Sequence, residues 1–235
     1  MEKSLLIGID QSYNSTGITI AYLEDLIGKR MSFYRIVFDD KSTKKPKQLK
    51  PQPNVNQILY QLPTNITTYE LEMCNDLETN TADQIETTLK AMVCSKKILS
   101  VIVDNFNRYK PNNIYISIEG FIMPKFNAMG KNQFSSLTDL IMLQAHIRDL
   151  IVRFLISNNF DTRKIVIVTP SELKKQFAKN GNADKLEMIE KFYSMYDGDK
   201  LLPKVLLQDT KIDDIVDSFA LMMFTYNKLI KSLNL

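Results

Sequence analysis

One histidine and two cysteines are the only imidazole and thiol groups in 235 residues. Cys74 and Cys94 form neither a close pair nor a metal-ligand spacing, which argues against zinc and for a reducing, intracellular compartment. The single histidine, His146, sits in an apolar helical pattern and reads as a packed or interfacial helix residue rather than a catalytic base. No apolar run is long enough to span a membrane, and the N-terminus enters a strand directly, without a signal-peptide pattern. A large charge excess is also missing. With a net charge of +3, any surface for a polyanion must come from local clusters of Lys and Arg. The 44% hydrophobic content is ordinary, and the length suits one domain, residues 1–235, with a substantial core.

What is present is a set of acids in unusual places. Leu5-Leu6-Ile7-Gly8-Ile9 reads as a buried strand that ends on Asp10. After a polar turn, Ile18-Thr19-Ile20-Ala21-Tyr22 reads as its antiparallel return. Ile114-Tyr115-Ile116-Ser117-Ile118 repeats the design and ends on Glu119. The stretch from Asp213 to Ala220 is helical in pattern, and its Asp214 and Asp217, three residues apart, share a face.

Carboxylates gathered in one site raise one another's pKa unless a cation neutralises them. Hard oxygen ligands without His or Cys favour Mg²⁺, with Mn²⁺ able to substitute. Two such ions roughly 3.5–4 Å apart can activate water and neutralise the leaving oxygen in phosphodiester hydrolysis. Each acid alone has a plainer explanation. Asp10 and Glu119 also fit turn or cap positions, and Asp213, Asp214 and Asp217 fit the N-terminal end of a helix dipole.

The order of these segments carries a family resemblance. Ile7-Gly8-Ile9-Asp10-Gln11-Ser12 with Thr16-Gly17 resembles the opening motif of RuvC-type Holliday junction resolvases. Ile116-Ser117-Ile118-Glu119 resembles their second acidic motif, and Asp214-Ile215-Val216-Asp217-Ser218-Phe219-Ala220 is similar to their closing helix. Between them, Thr169-Pro170-Ser171-Glu172-Leu173-Lys174-Lys175 and Gly181-Asn182-Ala183-Asp184-Lys185 look like the family's proline-and-basic segment. The resemblance implies a Mg²⁺-dependent endonuclease acting on four-way or related branched DNA as a homodimer. It implies Asp10, Glu119, Asp214 and Asp217 as metal ligands, and Lys174, Lys175 and Lys185 near the scissile strand, with Lys185 also serving catalysis. Asp213 matches no required ligand and is a second choice. The family usually has proline and glycine after the first aspartate, where this chain has Gln11 and Ser12. Residues 39–100 have no identifiable counterpart.

The remaining segments fill in an architecture. Strand-like runs at 5–10, 16–22 and 32–38 suit an antiparallel meander. Residues 39–80, with four prolines and a lysine series, read as an inserted loop or arm that is either solvated or in contact with DNA. Amphipathic helix patterns follow over about 81–110 and 134–157, the second apolar on more than one side. One of its partners should be the sheet, and a second copy of the chain could be the other. A strand at 164–168 and helices near 170–178, 183–196 and 212–230 complete the order. That order is α/β: an RNase H-like mixed five-stranded sheet flanked by helices on both faces. Just past Glu119, Phe121 and Phe126 could stack on unpaired bases or belong to the core, while Lys125 and Lys131 could meet phosphates.

Other functions weigh less. An RNase H-like nuclease on RNA–DNA hybrids or single strands would use the same acids. An actin-like nucleotide-binding protein would share the first turn, but needs a second such domain and a second Asp-x-Gly turn that this chain lacks. A non-catalytic DNA-binding scaffold would have no need of all four acids. Lys- and Asn-rich, Arg-poor usage points to an AT-rich genome, viral or bacterial.

Overall fold

The computed structural model describes residues 3–12, 15–24, 31–38, 66–71, 83–120, 131–196 and 212–232. They form β1 (Ser4–Asp10), β2 (Ser15–Tyr22), β3 (Met31–Phe38), β4 (Ile66–Leu71), α1 (Asp83–Tyr109), β5 (Asn113–Glu119) and α2 (Lys131–Ser157). After a short 3-10 turn come β6 (Ile165–Val168), α3 (Pro170–Phe177), α4 (Lys185–Tyr196) and α5 (Asp213–Ser232). The strands make one sheet in the order β4-β3-β2-β1-β5-β6. The β1–β2 and β2–β3 pairings are antiparallel, while β1–β5, β5–β6 and β3–β4 are parallel.

Without β4, the order β3-β2-β1-β5-β6 is the RNase H-like arrangement expected from the segment order. The sheet has six strands rather than five. The additional one, β4, lies inside the segment read as loop or arm; the rest of 39–80 lies outside the described residues. Its signal in the sequence is faint for a physical reason. As an edge strand, Ile66-Thr67-Thr68-Tyr69-Glu70-Leu71 leaves Thr67, Thr68 and Glu70 exposed, so it needs no apolar run.

Strand alternation sorts the core into two layers. Leu5, Ile7 and Ile9 of β1, Ile18 and Ile20 of β2, and Ile114, Ile116 and Ile118 of β5 face one way. There they pack with Ala91, Ile98 and Ile102 of α1 and with Leu143, Ile147, Ile151 and Leu155 of α2. Leu6, Ala21, Phe33 and Val168 face the other way, into a layer built from α3, α4 and α5 around Phe192, Phe219 and Met222. By the same alternation Asp10 and Glu119 fall on the α5 side. Among the described residues, no helix is long and apolar enough to cross a membrane.

Local signals set the helix ends. α1 stops where Lys110 takes a left-handed φ of 47° and Pro111 follows. α3 starts with Pro170 behind Thr169, whose hydroxyl accepts from the Glu172 N–H. α4 starts with a reciprocal box: the Asp184 carboxylate accepts from the Glu187 N–H at 2.9 Å, and Glu187 accepts from the Asp184 N–H at 2.8 Å.

Candidate active site

Asp10 and Glu119 are side by side because β1 and β5 are parallel neighbours. Ile9 is paired with Ile118, and the two acids are the next residues of their strands. α5 brings the remaining acids over the same end of the sheet. Its backbone lies directly on two glycines: a Cβ on Gly8 would overlap the Ser218 carbonyl, and one on Gly17 would overlap the Asp214 carbonyl. Only residues without side chains allow a helix this close. Buried hydroxyls fix its register, with Thr19 bonded to Ser218 at 2.8 Å and Ser117 bonded to Thr225.

The acids feel one another. Burial raises the Asp10 pKa well above the usual carboxylate value, and Glu119, Asp217 and Asp214 raise it further. Glu119 is also raised by burial, against a hydrogen bond from Asp10 and the charge of Lys174. Asp217 is pushed up to about 7, first by burial and then by Glu119 and Asp213, with Lys174 and Lys185 pulling the other way. Asp214 is raised by burial and held back by Ser15 and Arg35. All four expected acids therefore occupy one electrostatic neighbourhood.

Their carboxylates are not all turned to a common point. Asp10 and Glu119 hydrogen-bond each other. The Ser15 hydroxyl donates to Asp214 Oδ2, which Arg35 Nε also approaches at 3.4 Å. Asp213 is ion-paired with Lys185. As the side chains stand, no group of three or more His, Cys, Asp and Glu among the described residues is set to hold a metal ion. The donor chemistry nonetheless fits hard divalent cations. The oxygens are all carboxylate, and burial together with neighbouring like charges raises Asp10 and Asp217, the condition that a bound cation relieves.

The basic residues of the resemblance divide. Lys174 on α3 acts electrostatically on both Glu119 and Asp217, and Lys185 at the start of α4 pairs with Asp213. Both line a cleft of about 100 Å³ together with Asp184, Met188, Ile189, Asp213, Val216 and Asp217. Lys175 is exposed on α3. Phe121, Lys125 and Phe126 lie outside the described residues, as does the side chain of Lys131, whose backbone opens α2. His146 lies partly buried on α2, and Cys94 is buried in the core, bonded to Thr16 at 3.6 Å. Cys74 lies outside the described residues.

Ser15 and Arg35 join the site through contacts with Asp214 that no acidic motif announces. Arg35 carried a usable signal. It is the only charge in the strand Met-Ser-Phe-Tyr-Arg-Ile-Val-Phe, as Asp10 is the only charge in its own. Alternation with buried Phe33 puts it on the α5 face.

No family model matches this sequence, and no curated protein matches it. Among solved structures, the chain is similar to Thermus thermophilus RuvC at 12% identity, covering 96% of each chain with a TM-score of 0.45. It is similar to T. thermophilus RuvC in complex with a Holliday junction substrate at 12% identity, covering 96% of this chain and 95% of that one, with a TM-score of 0.48. It is also similar to the yeast mitochondrial Holliday junction resolvase Ydc2 at 12% identity, covering 96% of this chain and 80% of the other, with a TM-score of 0.41.

Proposed function

We propose that this chain is a divalent-metal-dependent, structure-selective DNA endonuclease that resolves four-way junctions as a homodimer, with residues 1–235 as one RNase H-like domain. One observation carries the reading. Two parallel strand ends and one helix deliver Asp10, Glu119, Asp214 and Asp217 to a single neighbourhood, where burial raises the pKa of each and neighbouring acids raise Asp10, Asp214 and Asp217 further. A fold keeps such an arrangement for a use, because uncompensated buried charge costs stability.

Asp10, Glu119, Asp214 and Asp217 would hold Mg²⁺ or Mn²⁺. Bound ions of this kind supply Lewis acidity at the phosphate and lower the pKa of water. The chain's own residues supply the rest. Asp10 and Glu119 give rigid oxygens at adjacent strand ends, and Asp217 gives one from the second turn of α5. Lys174 and Lys185 border the acids and would neutralise the backbone of the cleaved strand, and Lys175 would extend that basic edge. The sequence following Glu119 adds Phe121 and Phe126 for stacking on unpaired bases, and Lys125 and Lys131 for phosphates.

A two-fold dimer suits a nearly two-fold junction, since it sets two sites against equivalent phosphates. Selection would then follow DNA shape more than base edges. The decisive experiment incubates the purified chain with a synthetic four-way junction, a linear duplex, an RNA–DNA hybrid and a single strand, in Mg²⁺ and in EDTA. Paired nicks in the junction, dependent on Mg²⁺, are expected. Cleavage of the hybrid alone would replace this reading with that of a ribonuclease.

A further inference from the structure

Glu119 is the last residue of β5, where a strand ladder runs out and main-chain groups lose their partners. Here the peptide joining Glu119 to Gly120 is held on both sides. The Gly120 N–H donates to the Val168 carbonyl at 2.6 Å. The Glu119 carbonyl accepts from two side-chain amides, Gln11 Nε2 at 2.7 Å and Gln144 Nε2 at 3.0 Å. Both glutamines are buried, at 3% and 2% exposure. Gln144 is itself oriented by Arg148, one helical turn on, whose Nη2 donates to Gln144 Oε1 at 2.8 Å.

From this we infer that Gln11 and Gln144 are positioning residues for Glu119, fixing the carboxylate through its own peptide plane from the opposite face of the sheet. The inference rests on the metal-site reading above. Alternation sends the Glu119 side chain to the α5 face, while α2, which carries Gln144, packs on the other face. The two amides thus hold the ligand residue without competing for its carboxylate. Gln11 stands where proline is usual after the first aspartate, and proline has no side-chain amide with which to make this bond. One residue beyond Asp10, Gln11 ties the ends of β1 and β5 together where ladder bonds would otherwise end. Outer groups of this kind set ligand geometry, and their loss weakens metal affinity by about 10–100-fold.

The test is Mn²⁺ binding to the full chain without DNA, followed by electron paramagnetic resonance. Wild type is compared with Gln11→Ala, Gln144→Ala and the double variant, each at a temperature where circular dichroism shows it folded. Each single variant should weaken Mn²⁺ binding, and the double variant should weaken it by about 10-fold or more. Leu143→Ala, which is destabilised at a buried neighbour on the same helix, should keep wild-type affinity. A double variant that binds Mn²⁺ like wild type overturns the inference, as does an equal loss in Leu143→Ala. If wild type itself binds no Mn²⁺, the metal-site reading falls first and this inference falls with it.

Discussion

Arg35 reaches across the sheet face to Asp214, its Nε 3.4 Å from Oδ2, and the same nitrogen donates to Ser15 Oγ at 2.9 Å. Ser15 donates in turn to Asp214 Oδ2, so two strands grip one oxygen of a helical carboxylate. Asp214 is then anchored by more than its helix. Arg35→Met should cost about 1–2 kcal/mol of stability, between the values for exposed and buried pairs, because both side chains are partly screened. It should also reduce Mg²⁺-dependent junction cleavage by about 10-fold or more, as loss of an outer-shell partner does. Urea unfolding and single-turnover cleavage measure the two effects. Wild-type values in both would mean that α5 alone places Asp214.

The contact between α5 and the sheet makes a second, sharper demand. A Cβ at Gly8 would meet the Ser218 carbonyl and lie 2.5 Å from the Met222 nitrogen, both of them backbone atoms that cannot rotate away. Gly8→Ala should therefore lift the helix and cost about 1–3 kcal/mol or more, the scale of overpacking. Because Asp214 and Asp217 ride on that helix, cleavage should fall further than stability alone explains. A Gly8→Ala protein with an unchanged unfolding midpoint would contradict the close contact.

How much of this could be read in the sequence depended on whether one residue carried its own signal. Asp10 and Glu119 were legible because a charge ending an apolar strand violates the local pattern. Their adjacency followed once β1 and β5 were neighbours. β4 was not legible, because an exposed edge strand has no periodic apolar face to announce it. The Ser15–Arg35–Asp214 contact was equally hidden, being made by residues 20 and 179 apart in sequence that meet only after three elements have packed. Sequence spacing correctly put Asp214 and Asp217 on one helix side. It gave no sign that Asp214 would turn to Arg35 while Asp217 met the field of Glu119.

Cys94 provides a chemical check on the layer formed by α1. It is 1% exposed, and burial pushes its thiol up to about 11 despite a hydrogen bond to Thr16. The thiolate is the reactive form, so at pH 8 almost none is present and the reagent has no access. In a Cys74→Ser background the remaining thiol should stay unlabelled by Ellman's reagent until the protein unfolds. Rapid labelling of the folded protein would show that the α1 layer opens readily.

The raised acids link function to stability with a definite sign. Between the unfolded aspartate value of about 3.9 and the folded Asp217 value of about 7, the folded state holds a proton that the unfolded chain has released. Stability of the metal-free protein must therefore fall as pH rises through that window, with Asp10 and Glu119 acting in the same direction. Asp217→Asn removes the titrating group and should flatten this decline. At pH 8 it should leave the metal-free protein more stable than wild type, by on the order of 2 kcal/mol after allowing for solvent screening. Asp10→Asn should shift stability in the same direction, abolish cleavage, and leave junction binding intact. Adding Mg²⁺ should raise the wild-type unfolding midpoint more at pH 8 than at pH 5, since protons compete for the same oxygens. Scanning calorimetry with and without Mg²⁺ at both pH values measures all of these shifts. If both asparagine variants proved less stable than wild type at pH 8, the four carboxylates would be acting as structural partners rather than as a charge cluster awaiting a cation.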